Sequence, residues 1–132
     1  MRVFLDANVI FAASKQDSQV ARLFDLITAR AIPITSDYAL EEAARNITIK
    51  RPDWTQRLDI IISKFEIVGT GRFDLPVDLA EKDAPILCSA VRNKCDYLVT
   101  GDKRDFGHLY GQNVKDVTIV DLVTLADILL RS

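Results

Sequence analysis

Acidic residues follow two of the most apolar segments of this chain, and carboxylates in such places can bind metal ions. Asp6 comes directly after the run RVFL, and Asp102 comes one glycine after the run DYLVT. Ligands of open α/β sheets bind at the carboxyl ends of the strands, so both acids are predicted at one edge. Two acids there repel each other unless a positive charge lies between them. Because Mg²⁺ and Mn²⁺ prefer oxygen ligands, the pattern favours a metal site built from carboxylates.

Each acid also has a purely structural explanation. Asp83 is suited to cap a helix, Asp102 to occupy a turn, and Asp105 to face solvent. Asp6 is the exception, because it lies in an apolar region that runs on to Phe11, where a surface charge is awkward. The case for a site therefore rests on Asp6 and on the joint arrangement of the other acids.

The segments that must position these acids alternate between strands and helices. Strands are predicted at residues 2–5, 32–35, 66–68, 96–100 and 117–120. Helices are predicted at residues 18–30 and 36–49, then from Pro52, from Asp83, and from Asp121 to near Arg131. Residues 69–78 and 101–111 are expected to form loops. This order predicts an α/β fold, with residues 1–132 forming a single-domain α/β/α sandwich around a central, mainly parallel sheet.

The composition is typical of one soluble domain. The chain has 132 residues, of which 48% are hydrophobic and 27% are charged, so it can bury a sizeable core. Its formal net charge of −2 argues against a general nucleic-acid coat protein. A cation bound by several carboxylates would leave the remaining surface mildly basic, so a negatively charged substrate is still compatible. The chain has neither the pattern of a signal peptide nor a membrane-spanning segment, and a cytoplasmic location is expected.

The two cysteines, Cys88 and Cys95, are predicted to be free thiols. Their spacing places them on one predicted helix, two turns and roughly 10 Å apart along its axis. That distance is too long for a disulfide, and two free cysteines are typical of a reducing compartment.

Four segments of the chain, in order, resemble the motifs of the PIN-domain nucleases of the VapC-like toxin type. They are VFLDANVI near the start, SDYALEE at residues 36–42, KDAPILCSA at 82–90 and DYLVTGDKRDF at 96–106. The last motif, a strand followed by Thr-Gly-Asp, is quite specific. Residues 51–78 match nothing beyond helix and loop, but the order and spacing of the motifs agree along nearly the whole chain.

The resemblance implies a set of catalytic, metal-binding acids in this sequence. By position they are Asp6, Glu42, Asp83 and Asp102, with Asp105 as an accessory acid and metal ligand. Glu42 is preferred to the adjacent Glu41 because it lies six residues after Ser36, as in the family motif. Adjacent helical residues point about 100° apart, so only one of the two glutamates can enter a given site.

Three further residues take supporting roles by the same resemblance. Asn8 is expected to order a loop after Asp6, Thr100 to support the site with its hydroxyl, and Ser36 to accompany the second acid. One departure is Ala7, where relatives often have Thr or Ser. Its expected consequence is a lost supporting hydrogen bond with the chemistry intact.

Several basic and aromatic residues are candidates for substrate contacts. Lys15, Lys103 and Arg104 follow the predicted acids closely and could reach phosphates beside the cleaved bond, although for any one of them a solvated surface charge is the favoured interpretation. Tyr38 and Trp54 could stack on an unpaired base, but Trp54 falls on the apolar face of its helix, which favours packing.

The function that the resemblance implies is metal-dependent cleavage of RNA. A cation held by carboxylates, Mg²⁺ or Mn²⁺, lowers the pKa of a water that attacks the phosphate, so no Ser, Cys or His nucleophile is needed. The implied protein is an endoribonuclease and the toxin of a toxin–antitoxin pair, with RNA as substrate, a small antitoxin as protein partner, and homodimers as one assembly.

Two other functions are compatible with parts of the sequence. A PIN fold that binds RNA or protein without cleavage would be marked by the loss of a core acid, and all four acids are present. A flavodoxin-like phosphoacceptor domain would need a lysine late in the chain, and the segment VTIVDLV has none.

Overall fold

The computed structural model describes residues 1–131, which form six strands and seven α-helices. The strands are β1 (Arg2–Leu5), β2 (Ile32–Ser36), β3 (Glu66–Val68), β4 (Tyr97–Val99), β5 (Asn113–Val114) and β6 (Val117–Val120). The helices are α1 (Ala7–Ala13), α2 (Gln19–Arg30), α3 (Asp37–Lys50), α4 (Thr55–Ile62), α5 (Ala84–Arg92), α6 (Lys103–Phe106) and α7 (Leu122–Arg131). Short 3-10 turns at Pro52–Trp54 and Gly107–Leu109 complete these elements.

All six strands belong to one sheet, in the order β3-β2-β1-β4-β6-β5. Every neighbouring pair is parallel except β5 and β6, which are antiparallel. The chain leaves β1 toward β2 and β3, then crosses over to β4 on the opposite side of β1. Such a reversal of strand order opens a crevice at the carboxyl ends of the two central strands. The predicted α/β/α sandwich with a mainly parallel sheet is confirmed.

The two central strands, β1 and β4, lie in the hydrophobic core. Phe4, Leu5, Leu98 and Val99 are fully buried, as expected for a parallel sheet that helices cover on both faces. At the end of β1, the buried hydroxyl of Thr35 on β2 donates a hydrogen bond of 3.1 Å to the carbonyl of Leu5. This bond fixes the end of β1 one residue before Asp6.

Helix α1 was not predicted, and its presence corrects the expectation of a loop after Asp6. Asp6 occupies its N-cap and accepts a hydrogen bond from the Ala7 N–H, while Asn8 lies in its first turn. Seven residues are too few for a clear helical period, and the β-branched Val9 and Ile10 continue the apolar pattern of the strand before them.

Two smaller features also differ from the predictions. Helix α5 ends at Arg92, so Cys95 lies beyond it and the two cysteines do not share a helix. Both are nevertheless buried and free, as predicted. The short edge strand β5 was missed, because it has only two residues and turns into β6 through Lys115 and Asp116, which both have positive φ.

None of the helices within residues 1–131 combines the length and the apolar character needed to cross a membrane.

Replacing Thr35 with valine tests the bond that fixes the end of β1. Valine keeps the volume and the β-branched shape but leaves the buried Leu5 carbonyl without this donor, so we expect the free energy of unfolding to fall by about 1–2 kcal/mol. Urea denaturation measures the free energy of unfolding of each protein. Thr48→Val, at an exposed position of α3 where the hydroxyl donates to the Ala44 carbonyl at 3.0 Å, is the matched control and should change stability by less than about 0.5 kcal/mol. Equal stabilities of the two variants would contradict the role of this bond.

Candidate metal centre

A pocket of about 250 Å³ opens at the carboxyl ends of β1 and β4. Its lining residues are Asp6, Asn8, Phe11, Glu42, Asn46, Lys50, Lys82, Asp83 and Asp102. We call this the acidic pocket. The four acids that the sequence analysis singled out therefore face one space, although they are up to 96 residues apart in the chain.

Asp6 is buried at the centre of this edge and is held by three donors. The Ala7 N–H donates to Oδ1 at 2.7 Å, and the Thr100 hydroxyl and the Asn8 amide donate to Oδ2 at 2.9 and 3.2 Å. Burial nevertheless raises the pKa of Asp6 to about 6, because it outweighs these hydrogen bonds and because Glu42 and Asp102 add negative charge nearby. The carboxylate is thus fixed in orientation but costly to ionise without a cation.

The predicted supporting residues Asn8 and Thr100 join the ends of β1 and β4. Thr100 accepts hydrogen bonds at Oγ1 from the Asn8 amide and from the Asp102 N–H, at 3.3 and 3.1 Å. The side-chain oxygen Oδ1 of Asn8 accepts from the Gly101 N–H at 2.8 Å. The backbone that leads to Asp102 is therefore tied to the residues that hold Asp6.

Asp83 has the N-cap position of α5, but the expectation that it caps this helix is wrong for its side chain. Within the described residues its carboxylate makes no capping hydrogen bond, because its backbone has helical angles that turn the side chain away from the first N–H groups. Instead Oδ2 is buried and has no hydrogen-bond partner in the described part of the chain. Asp102, in contrast, does cap a helix, since it accepts from the Asp105 N–H at 3.1 Å.

Asp83, Asp102 and Asp105 form the tightest group of acids. One carboxylate oxygen from each lies within 4.8 Å of the other two. Burial, and then the closeness and negative charge of the neighbouring Asp105 carboxyl, raise the pKa of Asp83 to about 7. Two ionised carboxylates only accept hydrogen bonds, so either a shared proton or a cation must connect them.

These residues fit a hard divalent cation. The group offers only oxygen donors, which Mg²⁺ and Mn²⁺ prefer, and Oδ2 of Asp83 is buried with no partner among residues 1–131. Asp6 and Glu42 face the same pocket and supply further negative charge.

Helix α3 presents Glu42 to the acidic pocket and turns Glu41 away from it. Ser36 sets the start of this helix by accepting the Ala39 N–H at 3.1 Å, so it acts on the site through the helix. Glu41 is exposed and lies 3.7 Å from the guanidinium of Arg45. Asn46 lies one turn after Glu42 and also lines the pocket, a placement that the spacing of four residues could have revealed.

The basic residues predicted to contact substrate lie elsewhere. Lys15 lines a separate groove beside Trp54, Lys103 lines another beside Tyr110, and Arg104 is exposed on α6. Lys50 and Lys82 line the acidic pocket instead. The sequence analysis missed both, although Lys82 directly precedes the third acid.

The aromatic candidates have structural partners. Trp54 packs against Phe11 with ring centroids 5.1 Å apart, and the Arg51 guanidinium lies 4.3 Å from its ring centre. The Tyr38 hydroxyl donates to the carbonyl of Lys82 at 2.8 Å. Tyr38 therefore links helix α3 to the segment that carries Asp83.

Asp83→Asn tests whether the buried carboxylate lowers the stability of the metal-free protein. Because the pKa of Asp83 is raised to about 7, its ionised form opposes folding above pH 7, and this penalty declines as the pH falls toward the unfolded-state value near 4. In chelator at pH 8 we expect the variant to melt about 4 °C higher, for a gain of about 1 kcal/mol that allows for screening by water.

Thermal denaturation across pH 3.5–8 measures this difference, which should disappear below about pH 4. The exposed Asp59→Asn is the matched control and should follow the unaltered protein at every pH. A variant that melts lower than the unaltered protein at pH 8 would mean that the Asp83 carboxylate stabilises the fold.

Three solved structures share this architecture. A chain of VapBC2 from Rickettsia felis, bound to a DNA fragment from its promoter, superposes with a TM-score of 0.67 at 16% identity, over 92% of this chain and 98% of that one. PAE2754 from Pyrobaculum aerophilum gives a TM-score of 0.67 at 19% identity, over 100% and 97%. VapBC-1 from nontypeable Haemophilus influenzae gives 0.60 at 12%, over 93% and 99%. At these identities the likeness concerns the fold.

The sequence itself provides the assignment to a family. No curated protein is significantly similar to it. The sequence profile of the PIN domain, however, matches residues 2–104, which include Asp6, Glu42, Asp83 and Asp102. The chain therefore belongs to the PIN-domain family.

Proposed function

We propose that this protein is a metal-dependent endoribonuclease that hydrolyses RNA phosphodiester bonds with Mg²⁺ or Mn²⁺ in the acidic pocket. The observation that carries the proposal is the buried oxygen of Asp83, which lacks a hydrogen-bond partner among the described residues and adjoins two further carboxylates. The proposed ligand set is Asp6, Glu42, Asp83 and Asp102, with Asp105 beside them.

The lining of the pocket favours hydrolysis by water over a covalent route. Its described lining includes no Ser, Cys or His that could serve as a nucleophile. When bound there, a divalent cation supplies positive charge for the phosphate and lowers the pKa of a water molecule. The protein then contributes fixed orientation, as the three donors on Asp6 illustrate, and negative charge that retains the cation.

We further propose that this domain, spanning residues 1–132, is the toxin of a toxin–antitoxin pair and acts in the cytoplasm. Two of the structures with the same fold are VapBC structures. By analogy, a small antitoxin protein would be its partner, and the toxin would form homodimers. Co-purification with the product of an adjacent small open reading frame would test this part of the proposal.

Cleavage of a mixed single-stranded RNA pool tests the proposed activity. We expect the unaltered protein to cut in Mg²⁺ or Mn²⁺ and to stop in chelator. Asp6→Asn keeps the acceptor for the Ala7 N–H but removes the negative charge, so its rate should fall by about 10²–10³-fold. Gel analysis of end-labelled RNA measures the rates, and Asp59→Asn serves as the control with an unchanged rate.

The outcomes separate the competing functions. A folded, inhibitor-free protein that binds RNA in the presence of metal but never cuts it would identify a catalytically silent PIN module. Equal cutting by the unaltered protein and Asp6→Asn would show that the activity comes from another site or from a contaminant.

A further inference from the structure

Lys82 is a cation at the rim of the acidic pocket, and neither the sequence motifs nor the proposed function gives it a role. Its Nζ lies 2.9 Å from Oδ2 of Asp105, which belongs to the group of three carboxylates. Lys50 also lines the pocket, but within the described residues only Lys82 of these two forms an ion pair with an acid. The ammonium group thus balances part of the negative charge that burial makes unfavourable.

The backbone of Lys82 is held while its side chain is free to reorient. Its carbonyl accepts the hydrogen bond of the Tyr38 hydroxyl at 2.8 Å, and the next residue, Asp83, is the N-cap of helix α5. The side chain is 65% exposed, and its four-carbon stem allows the ammonium to move several ångströms without a change in the backbone. The ammonium group therefore stays close to the acids, but its position relative to them can change.

A divalent cation and this ammonium compete for the same carboxylates. Asp105 lies within 4.8 Å of both Asp83 and Asp102, measured between carboxylate oxygens, so a cation that joins these acids also faces the ion pair. The divalent cation and the Lys82 ammonium would lie close enough to repel each other. The cation would also withdraw electron density from the Asp105 oxygen that Lys82 contacts. The ammonium would then turn toward the open part of the pocket.

We propose that Lys82 is an internal counter-ion of the carboxylate group, which a divalent cation displaces, and that the displaced ammonium binds a phosphate of the RNA. The first half concerns the metal alone. The second half rests on the proposed nuclease function. A flexible ammonium with three donors is suited to a phosphate, because it contacts the group as a point charge from many directions.

Lys82→Met tests the first half, since methionine keeps much of the stem and removes the charge. Without the competing ammonium, Mn²⁺ alone should bind about two- to fivefold more tightly, the change expected for the loss of one exposed charge interaction. Isothermal titration in the absence of RNA measures the affinity. Lys82→Arg should behave like the unaltered protein, and Lys64→Met, at an exposed position after α4, is the matched control. Unchanged or weaker Mn²⁺ binding in Lys82→Met would overturn the proposal.

The salt dependence of RNA cleavage tests the second half. Loss of one phosphate contact should reduce the slope of log KM against log salt concentration by about 0.7 and raise KM, with a smaller effect on kcat. Lys82→Arg should keep the slope and the KM of the unaltered protein, and so should Lys64→Met. An unchanged slope together with tighter Mn²⁺ binding would overturn the phosphate contact and retain the counter-ion. If no RNA is cut by the unaltered protein, the proposed function fails, while the Mn²⁺ titration still decides the first half.

Discussion

The buried carboxylate of Asp6 is the constraint on which the rest of the site depends. Its pKa is raised to about 6 from 3.8, which corresponds to about 3 kcal/mol against the ionised form. The protein nevertheless aims three donors at it, and two of them come from side chains that also fix the loop after β4. Burial destabilises the ionised form of this carboxylate, and the three donors fix its orientation. Such a carboxylate is well suited to binding a cation.

The sheet topology determines which other acids share this space. Because β1 and β4 are neighbours in the sheet, the residues that follow them meet at one edge, and Asp102 comes close to Asp6. Helix α3 starts from the end of β2, next to β1, and projects Glu42 across the same opening. The long segment between β3 and β4 delivers Asp83, and the hydrogen bond from Tyr38 to the Lys82 carbonyl ties that segment to α3.

This arrangement concentrates unfavourable charge in one place, as functional sites commonly do at the expense of stability. Among the described residues, the partnerless oxygen of Asp83 shows that the fold by itself does not satisfy the group. Lys82 compensates for part of the charge at Asp105 from the rim of the pocket. The site therefore combines a protein-supplied cation with oxygen donors of the kind that a hard divalent cation prefers.

The sequence alone determined the elements and the acids. Short, mostly apolar runs predicted β1, β2, β3, β4 and β6, and apolar residues at helical spacing predicted most of the helices. The sequence could not reveal α1 or β5, because both are too short to show a recognisable pattern of apolar residues. Nor could it reveal that the Asp83 side chain leaves helix α5 uncapped. Which lysines line the acidic pocket depends on how elements that are distant in the sequence pack together, and on the direction that each flexible lysine side chain then takes. Only the tertiary structure decided that Lys82 and Lys50 line the acidic pocket while Lys15 and Lys103 do not, because long-range packing, and not local spacing, sets the direction of those side chains.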